Sequence, residues 1–190
     1  MLLVVHHTPS PTMQELLEEI LRGTRDEAIA GVEVVVRPAL SAGVSDVLDA
    51  DAVLLLTPAN IGYMSGAMKH FFDQIYYPCL EATVGKPYAV CVHGNLDTTG
   101  ALRSIETITT GLKWRLAAAP LELTGSLDPQ GREASGELGA TVAATLAQPS
   151  TISASLPRGP LSLTWPASPS RARRHAPRED RGPWGGPQGP

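Results

Sequence analysis

The sequence predicts an open α/β fold, a five-stranded parallel sheet with helices on both faces. Three observations point to it: short apolar runs recur along the chain, helix-spaced apolar stripes lie between them, and the runs show no strict polar–apolar alternation. Four runs cover residues 2–5, 32–36, 52–56 and 88–92, with a weaker fifth at 119–123. Their continuous Val/Leu character is that of strands buried on both sides. Alternation of strands with helices implies right-handed crossovers and a parallel sheet.

The helices follow in order. Met13, Leu16, Leu17, Ile20 and Leu21 fall at i, i+3, i+4, i+7 and i+8, an amphipathic stripe wide enough to pack on a sheet. Residues 41–49 have room only for a short helix. Met64, Ala67, Met68, Phe71, Phe72, Ile75 and Tyr76 repeat the spacing over three turns, and Leu102, Ile105, Ile108, Thr109, Leu112 and Leu116 continue it less regularly. Residues 132–147 read as a weak helix, because Gly136 and Gly139 each disfavour it by about 1 kcal/mol relative to alanine.

Residues 1–147 form one expected domain, large enough to bury a core without disulfides or a structural metal. Residues 148–190 hold nine of the 17 prolines and six of the 15 Lys+Arg but two acids. With no helical or strand period, this tail is expected to be disordered. The first 147 residues carry nine basic against 17 acidic side chains, net −8, which disfavours nucleic acid as a partner. Cys79 and Cys91 are too far apart for a C-x-x-C motif and too few for a disulfide framework, so a reducing compartment is expected. The N-terminus lacks the basic region of a signal peptide, and no apolar run nears the ~20 residues of a membrane helix. The expectation is a cytoplasmic protein that engages neither nucleic acid nor membrane.

In an open α/β sheet, ligands bind beyond the carboxyl ends of the strands, where the strand order reverses. Three loops meet that description. The first, His6-His7-Thr8-Pro9-Ser10-Pro11-Thr12, offers three hydroxyls and opens a helix, where free N–H groups and the helix dipole favour a phosphate-sized anion. The alternative is a capping box formed by Thr12 and Glu15. Neither a P-loop nor a G-x-G-x-x-G turn is present. The second loop, Thr57-Pro58-Ala59-Asn60-Ile61-Gly62-Tyr63, suits a planar heterocycle covered by Tyr63, or else a turn at Gly62 with Tyr63 as a hydrophobic staple. The third, His93-Gly94-Asn95-Leu96-Asp97-Thr98-Thr99-Gly100, has small residues that admit a ligand to the backbone, and Thr98 or Thr99 to cap the next helix. His6 and His7 are adjacent and face opposite sides, poor geometry for a metal shared with His93, so no metal is expected. Cys91, in a buried strand, reads as packing.

The segment Thr57-Pro58-Ala59-Asn60-Ile61-Gly62-Tyr63-Met64-Ser65-Gly66-Ala67-Met68-Lys69-His70-Phe71-Phe72-Asp73 resembles the flavin-ring loop and following helix of the flavodoxin-like superfamily, in particular its NADPH-dependent FMN reductase branch. The resemblance covers residues 1–147 and implies a three-layer sandwich with strand order 2-1-3-4-5 that binds FMN. By it, Thr8, Ser10, Thr12, Met13 and Gln14 hold the FMN phosphate. Pro58, Ala59, Asn60, Ile61, Gly62 and Tyr63 border the isoalloxazine ring, and His93, Gly94, Asn95 and Gly100 close its other side. Pro9 and Pro11 depart from the family pattern, since each lacks a backbone N–H. The chain between the second and third strands is also too short for the extra element of the quinone-reductase members. The implied activity is oxidoreduction: NAD(P)H as electron donor, bound FMN, and a quinone, flavin or protein acceptor. Hydride transfer to flavin requires no protein acid or base, so no catalytic residue is named. An electron-carrier flavodoxin without its own substrate, and a binding module that has lost FMN, stay open beside it, as does a homodimer.

Overall fold

The structure is a computed structural model that describes residues 1–29 and 31–147; the expected disordered tail lies outside the described residues. Its elements are, in order, β1 (Leu2–His6), α1 (Pro11–Thr24), β2 (Val34–Pro38), α2 (Val44–Asp49), β3 (Ala52–Asn60), β4 (Tyr63–Met64), α3 (Gly66–Cys79), β5 (Pro87–Gly94), α4 (Thr99–Gly111), β6 (Arg115–Leu116), β7 (Leu121–Thr124) and α5 (Pro129–Ala147). The sheet runs β2-β1-β3-β5, parallel throughout, and its fifth position is shared by β6 and β7, each parallel to β5. The order is therefore 2-1-3-4-5 with an interrupted last strand. Between the two pieces Ala117 N–H still donates to the Tyr88 carbonyl (2.8 Å). Pro120 has no donor to offer, which only an edge strand tolerates.

Side chains alternate across the sheet with the strand period of two. Leu3, Val5, Val53, Leu55, Val90 and Val92 enter one core layer, with Val47 of α2, Phe71, Phe72 and Ile75 of α3, and Ile105 of α4. Leu2, Val4, Leu54, Leu56, Ala89 and Cys91 enter the other, with Met13, Leu16 and Ile20 of α1 and Leu138 and Val142 of α5. All of these strand residues have no solvent exposure, which explains why the runs show no polar alternation.

Two apolar positions expected on helices belong to strands. Met64 lies on β4, because α3 begins only at Gly66 after its cap Ser65. Leu116 lies on β6 and is 44% exposed. β2 begins two residues later than its apolar run and is a half-buried edge. β3 is longer than expected. It passes through Thr57 and Pro58 to Asn60 and folds back as β4, pairing Ala59 with Met64 and Asn60 with Tyr63. The second loop is thus a β-hairpin, with Ile61 (φ 52°) and Gly62 (φ 71°) as its turn. Positive φ at both central positions is the two-residue turn that matches strand twist. Ile61 is β-branched, fully exposed and badly suited to that region.

α5 is a continuous 19-residue helix despite its glycines. The reason lies in α1. A methyl group at Gly139 would strike the Ile20 carbonyl oxygen, and one at Gly23 the Gly136 carbonyl oxygen. The two helix backbones touch, and the packing this allows offsets the intrinsic helix penalty of glycine. Arg132 of α5 also pairs with Glu15 of α1; both are partly exposed, so the pair adds little.

Gly139→Ala should therefore lower stability by about 1–3 kcal/mol through overpacking, although alanine is the better helix former; urea denaturation would show it, and a stabilised variant would mean that the helices are not in backbone contact. Ile61→Asn should do the opposite, relieving about 1 kcal/mol of turn strain and raising Tm by roughly 2–4 °C in a thermal melt.

Candidate functional site

Because β1, β3 and β5 are parallel neighbours, their carboxyl ends bring three loops together. Around a cleft of about 350 Å³ stand Pro9, Ser10, Thr12 and Met13 from the first, Pro58, Ala59 and Asn60 from the β3–β4 hairpin, and His93, Gly94 and Asn95 after β5.

On the first loop the helix cap is Ser10, in extended conformation. Its Oγ accepts the Met13 N–H (3.3 Å) and its carbonyl accepts the Gln14 N–H (3.0 Å). The alternative Thr12–Glu15 box does not form, and Glu15 turns to Arg132 instead. Pro11 takes the first helical position, where its fixed φ suits the helix and a missing N–H breaks no helical bond. Thr12 then stands second in α1, freed from capping, on the cleft wall. Thr8 and Gln14 point elsewhere: Thr8 Oγ1 lies 3.1 Å from His6 Nδ1, and Gln14 Nε2 donates to Glu18 (3.3 Å). Burial, and then the neighbouring His7, hold the His6 imidazole below its ordinary pKa. His7 Nδ1 is buried without a hydrogen-bond partner.

The hairpin is fastened at both ends. At its base Thr57 and Ser65 are wholly buried. The Ser65 N–H donates to Thr57 Oγ1 (3.2 Å), the two hydroxyl oxygens are 3.1 Å apart, and Ser65 Oγ accepts the Met68 N–H (3.2 Å) that starts α3. At the tip, Gly62 rests on Gly100, where a methyl group would collide with the Gly62 carbonyl. Gly100, expected beside a ligand, instead seats the hairpin. Ile61 projects into solvent. Tyr63, expected over a ligand ring, borders a separate hollow with Gly100 and residues of α4.

His93 is 9% exposed, and its Nε2 donates to the Gly125 carbonyl (2.8 Å), whose residue in turn donates its N–H to the Gly94 carbonyl (2.9 Å). The ring also borders a second cavity of about 300 Å³ beside β7 and the start of α5. Neither Thr98 nor Thr99 caps α4 with its side chain. Asp97 accepts the Thr99 hydroxyl (2.7 Å) and N–H (3.0 Å), which hold its carboxyl below the usual range, while the Thr98 hydroxyl donates to Glu122 (2.6 Å). Burial pushes the Cys91 thiol up to about 12, so it packs and does not ionise. Among the described residues no three His, Cys, Asp or Glu side chains stand together to hold a metal, and no helix is long and apolar enough to cross a membrane.

Nine of the sequence-derived candidates thus line one cleft: Ser10, Thr12, Met13, Pro58, Ala59, Asn60, His93, Gly94 and Asn95. Thr8, Gln14, Ile61, Gly62, Tyr63 and Gly100 lie outside its wall. The sequence reading missed Pro9 as a wall residue and the Thr57–Ser65 lock, for which a hydroxyl residue at each end of the segment was the available signal. The Gly125 carbonyl, 32 residues from His93, left no local trace. Chemically, the cleft offers a helix N-terminus with two hydroxyls at one end, flat apolar walls at Pro58, Ala59 and Gly94, and the side-chain amides of Asn60 and Asn95. Among the described residues no Asp, Glu, Lys or Arg borders it.

No protein-family model and no curated protein matches the sequence. Solved structures do match in three dimensions. A flavodoxin from the domain Archaea superposes with a TM-score of 0.66 at 17% identity, over 77% of this chain and 99% of the other. A WrbA-like flavodoxin from Agrobacterium tumefaciens gives 0.62 at 17% identity, over 77% and 96%. A two-electron reduced flavodoxin from Megasphaera elsdenii gives 0.63 at 18% identity, over 76% and 99%. At these identities the likeness is one of architecture, and it shows that this chain has the flavodoxin-like fold.

Proposed function

We propose that the chain is an FMN-binding oxidoreductase that takes electrons from NAD(P)H and passes them to a quinone, flavin or protein acceptor. The observation that carries the reading is the convergence of three separate loops on one cleft at the switch point of the sheet, with an anion-favouring helix start at one end and flat walls along it. Among the structural relatives, the Megasphaera elsdenii protein is a flavodoxin in a two-electron reduced state, which supports redox work on this fold.

The residues present fit the cofactor. Its phosphate would meet the Thr12 N–H and hydroxyl and the Ser10 hydroxyl at the start of α1. Pro11 removes one backbone donor there without displacing the next, and the helix dipole favours the dianion. Pro58, Ala59 and Asn60 would border one side of the ring, and His93, Gly94 and Asn95 the other. When bound, FMN supplies the hydride and electron chemistry, and the protein supplies position and electrostatics. The Thr57–Ser65 lock holds the hairpin at a fixed angle, so its wall is formed before a ligand arrives, and pre-organisation of this kind favours affinity. The Gly125 carbonyl keeps a proton on His93 Nε2, leaving Nδ1 to carry the lone pair of the neutral ring.

The direct test is the visible spectrum of the purified protein after loading with FMN and gel filtration. Retained yellow flavin is the expected result, and a colourless protein that cannot be loaded overturns the proposal. Since Ser10 rather than Thr12 caps α1, the two hydroxyls are separable. Ser10→Ala should destabilise the fold by about 1 kcal/mol. Thr12→Ala should leave Tm nearly unchanged yet weaken FMN binding about tenfold or more, the value of a hydrogen bond to a charged group. Fluorescence titration of the two variants, beside their melting curves, separates these effects.

A further inference from the structure

Beside the hairpin and α4 lies the hollow of about 270 Å³ bordered by Tyr63, Gly100, Arg103, Ser104, Thr107 and Ile108. Two of these, Tyr63 and Gly100, belong to segments that otherwise build the cleft. Tyr63 is 43% exposed and supplies an aromatic wall, and Ile108 is partly buried. Arg103 is exposed and forms no ion pair among the described residues. Among the described residues it is the one charged side chain on the lining, and the carboxylate that α4 carries, Glu106 three residues on, is not part of it. The hydroxyls of Ser104 and Thr107 spend their protons on the carbonyls of Ala101 and Arg103 (2.7 and 2.8 Å). That leaves the Tyr63 hydroxyl and the Arg103 guanidinium as side-chain donors, of which Arg103 alone carries the charge to face an anion. A guanidinium fork matches phosphate, sulfonate or carboxylate oxygens in two-point geometry, and an aromatic wall next to it accepts a flat ring.

We propose that this hollow is a binding subsite for one end of a ligand in which a planar ring carries an anionic group, the ring against Tyr63 and the anion on Arg103. The hollow and the cleft share the hairpin, which gives Pro58, Ala59 and Asn60 to the cleft and Tyr63 to the hollow. The subsite thus takes the electron-exchanging partner of the flavoprotein proposed above, and its purpose rests on that reading. Its volume is below that of a whole small-molecule site, so it holds one end of a longer molecule or a small acid entire. Two sources share this chemistry: the phosphorylated adenosine end of a dinucleotide donor, and an aromatic acid acting as acceptor.

The test is calorimetric titration of the purified full chain with NADP+, NAD+ and anthraquinone sulfonate at low ionic strength, for wild type, Arg103→Ala and Arg103→Lys. Oxidised dinucleotides bind without turnover, so the readout does not depend on activity. The expected result is binding that weakens about tenfold or more in Arg103→Ala, is partly retained in Arg103→Lys, and falls with added salt. Preference for NADP+ over NAD+ would identify the dinucleotide end, and binding of anthraquinone sulfonate alone the aromatic acid. Failure of both NADP+ and the sulfonate to bind, or equal binding by wild type and Arg103→Ala, overturns the proposal. FMN loading of the same samples separates the two readings. A chain that loads FMN without Arg103-dependent binding defeats the subsite alone, whereas Arg103-dependent binding by a chain that rejects FMN upholds the subsite and defeats the cofactor assignment. Arg103 borders no part of the cleft, so FMN affinity should be the same in all three proteins.

Discussion

Two-sided burial of the central strands is the constraint from which the rest of the architecture follows. β1, β3 and β5 send alternate side chains into two separate apolar layers, and neither layer is stable unless helices cover it. Helices on both faces require a crossover between successive strands, and crossovers make the strands parallel. Parallel strands put all their carboxyl ends on one edge, so the loops that follow β1, β3 and β5 have no choice but to be neighbours. The cleft is therefore a by-product of how the core is buried, and its chemistry depends only on which residues occupy those loops.

Within that edge the hairpin is the element with most individuality. It begins as β3 leaves the shelter of the sheet, is tied by the buried hydroxyls of Thr57 and Ser65, and ends where Gly62 leans on Gly100. Being held at both ends, it divides two concave surfaces of different character. One is neutral, with amides and a helix start; the other has an aromatic face and an arginine. A single strained turn at Ile61 links them. Strain of this kind persists only where surrounding structure over-determines the backbone, and the two anchors supply that surrounding.

Much of the fold was legible because burial leaves a pattern in composition. The strand runs and the stripe of α1 could be read from Val/Leu continuity and helical spacing, whereas the 2-1-3-4-5 order came with the family resemblance. The misreadings have physical causes. Met64 and Leu116 continue a helical spacing that hairpin and strand geometry interrupt. A turn at Gly62 was one of the two readings of its loop, but the two-residue hairpin was hidden because isoleucine is not a turn residue. Gly136 and Gly139 looked hostile to α5 because propensity is local, whereas their benefit lies in Gly23 and Ile20 on α1, more than 100 residues away in sequence. In the site, Ser10 was legible as the cap in retrospect, since the proline after it occupies the first helical position. Gly125 was not, because nothing near His93 in sequence shows which carbonyl will meet its ring.

The contact between α1 and α5 joins nearly the first helix of the domain to the last. α1 carries the helix start that faces the cleft, yet the backbone surface that seats α1 comes from residues 136–139. During synthesis this helix start would emerge early and wait, one side of α1 uncovered, until almost the whole domain had left the ribosome. Such long-range closure slows folding and gives it a definite last step. A product that stopped before α5 would keep the packing of Met13, Leu16 and Ile20 on the sheet but leave the Ile20–Gly23 side of α1 uncovered, so the helix start at the cleft depends in part on the last helix of the domain.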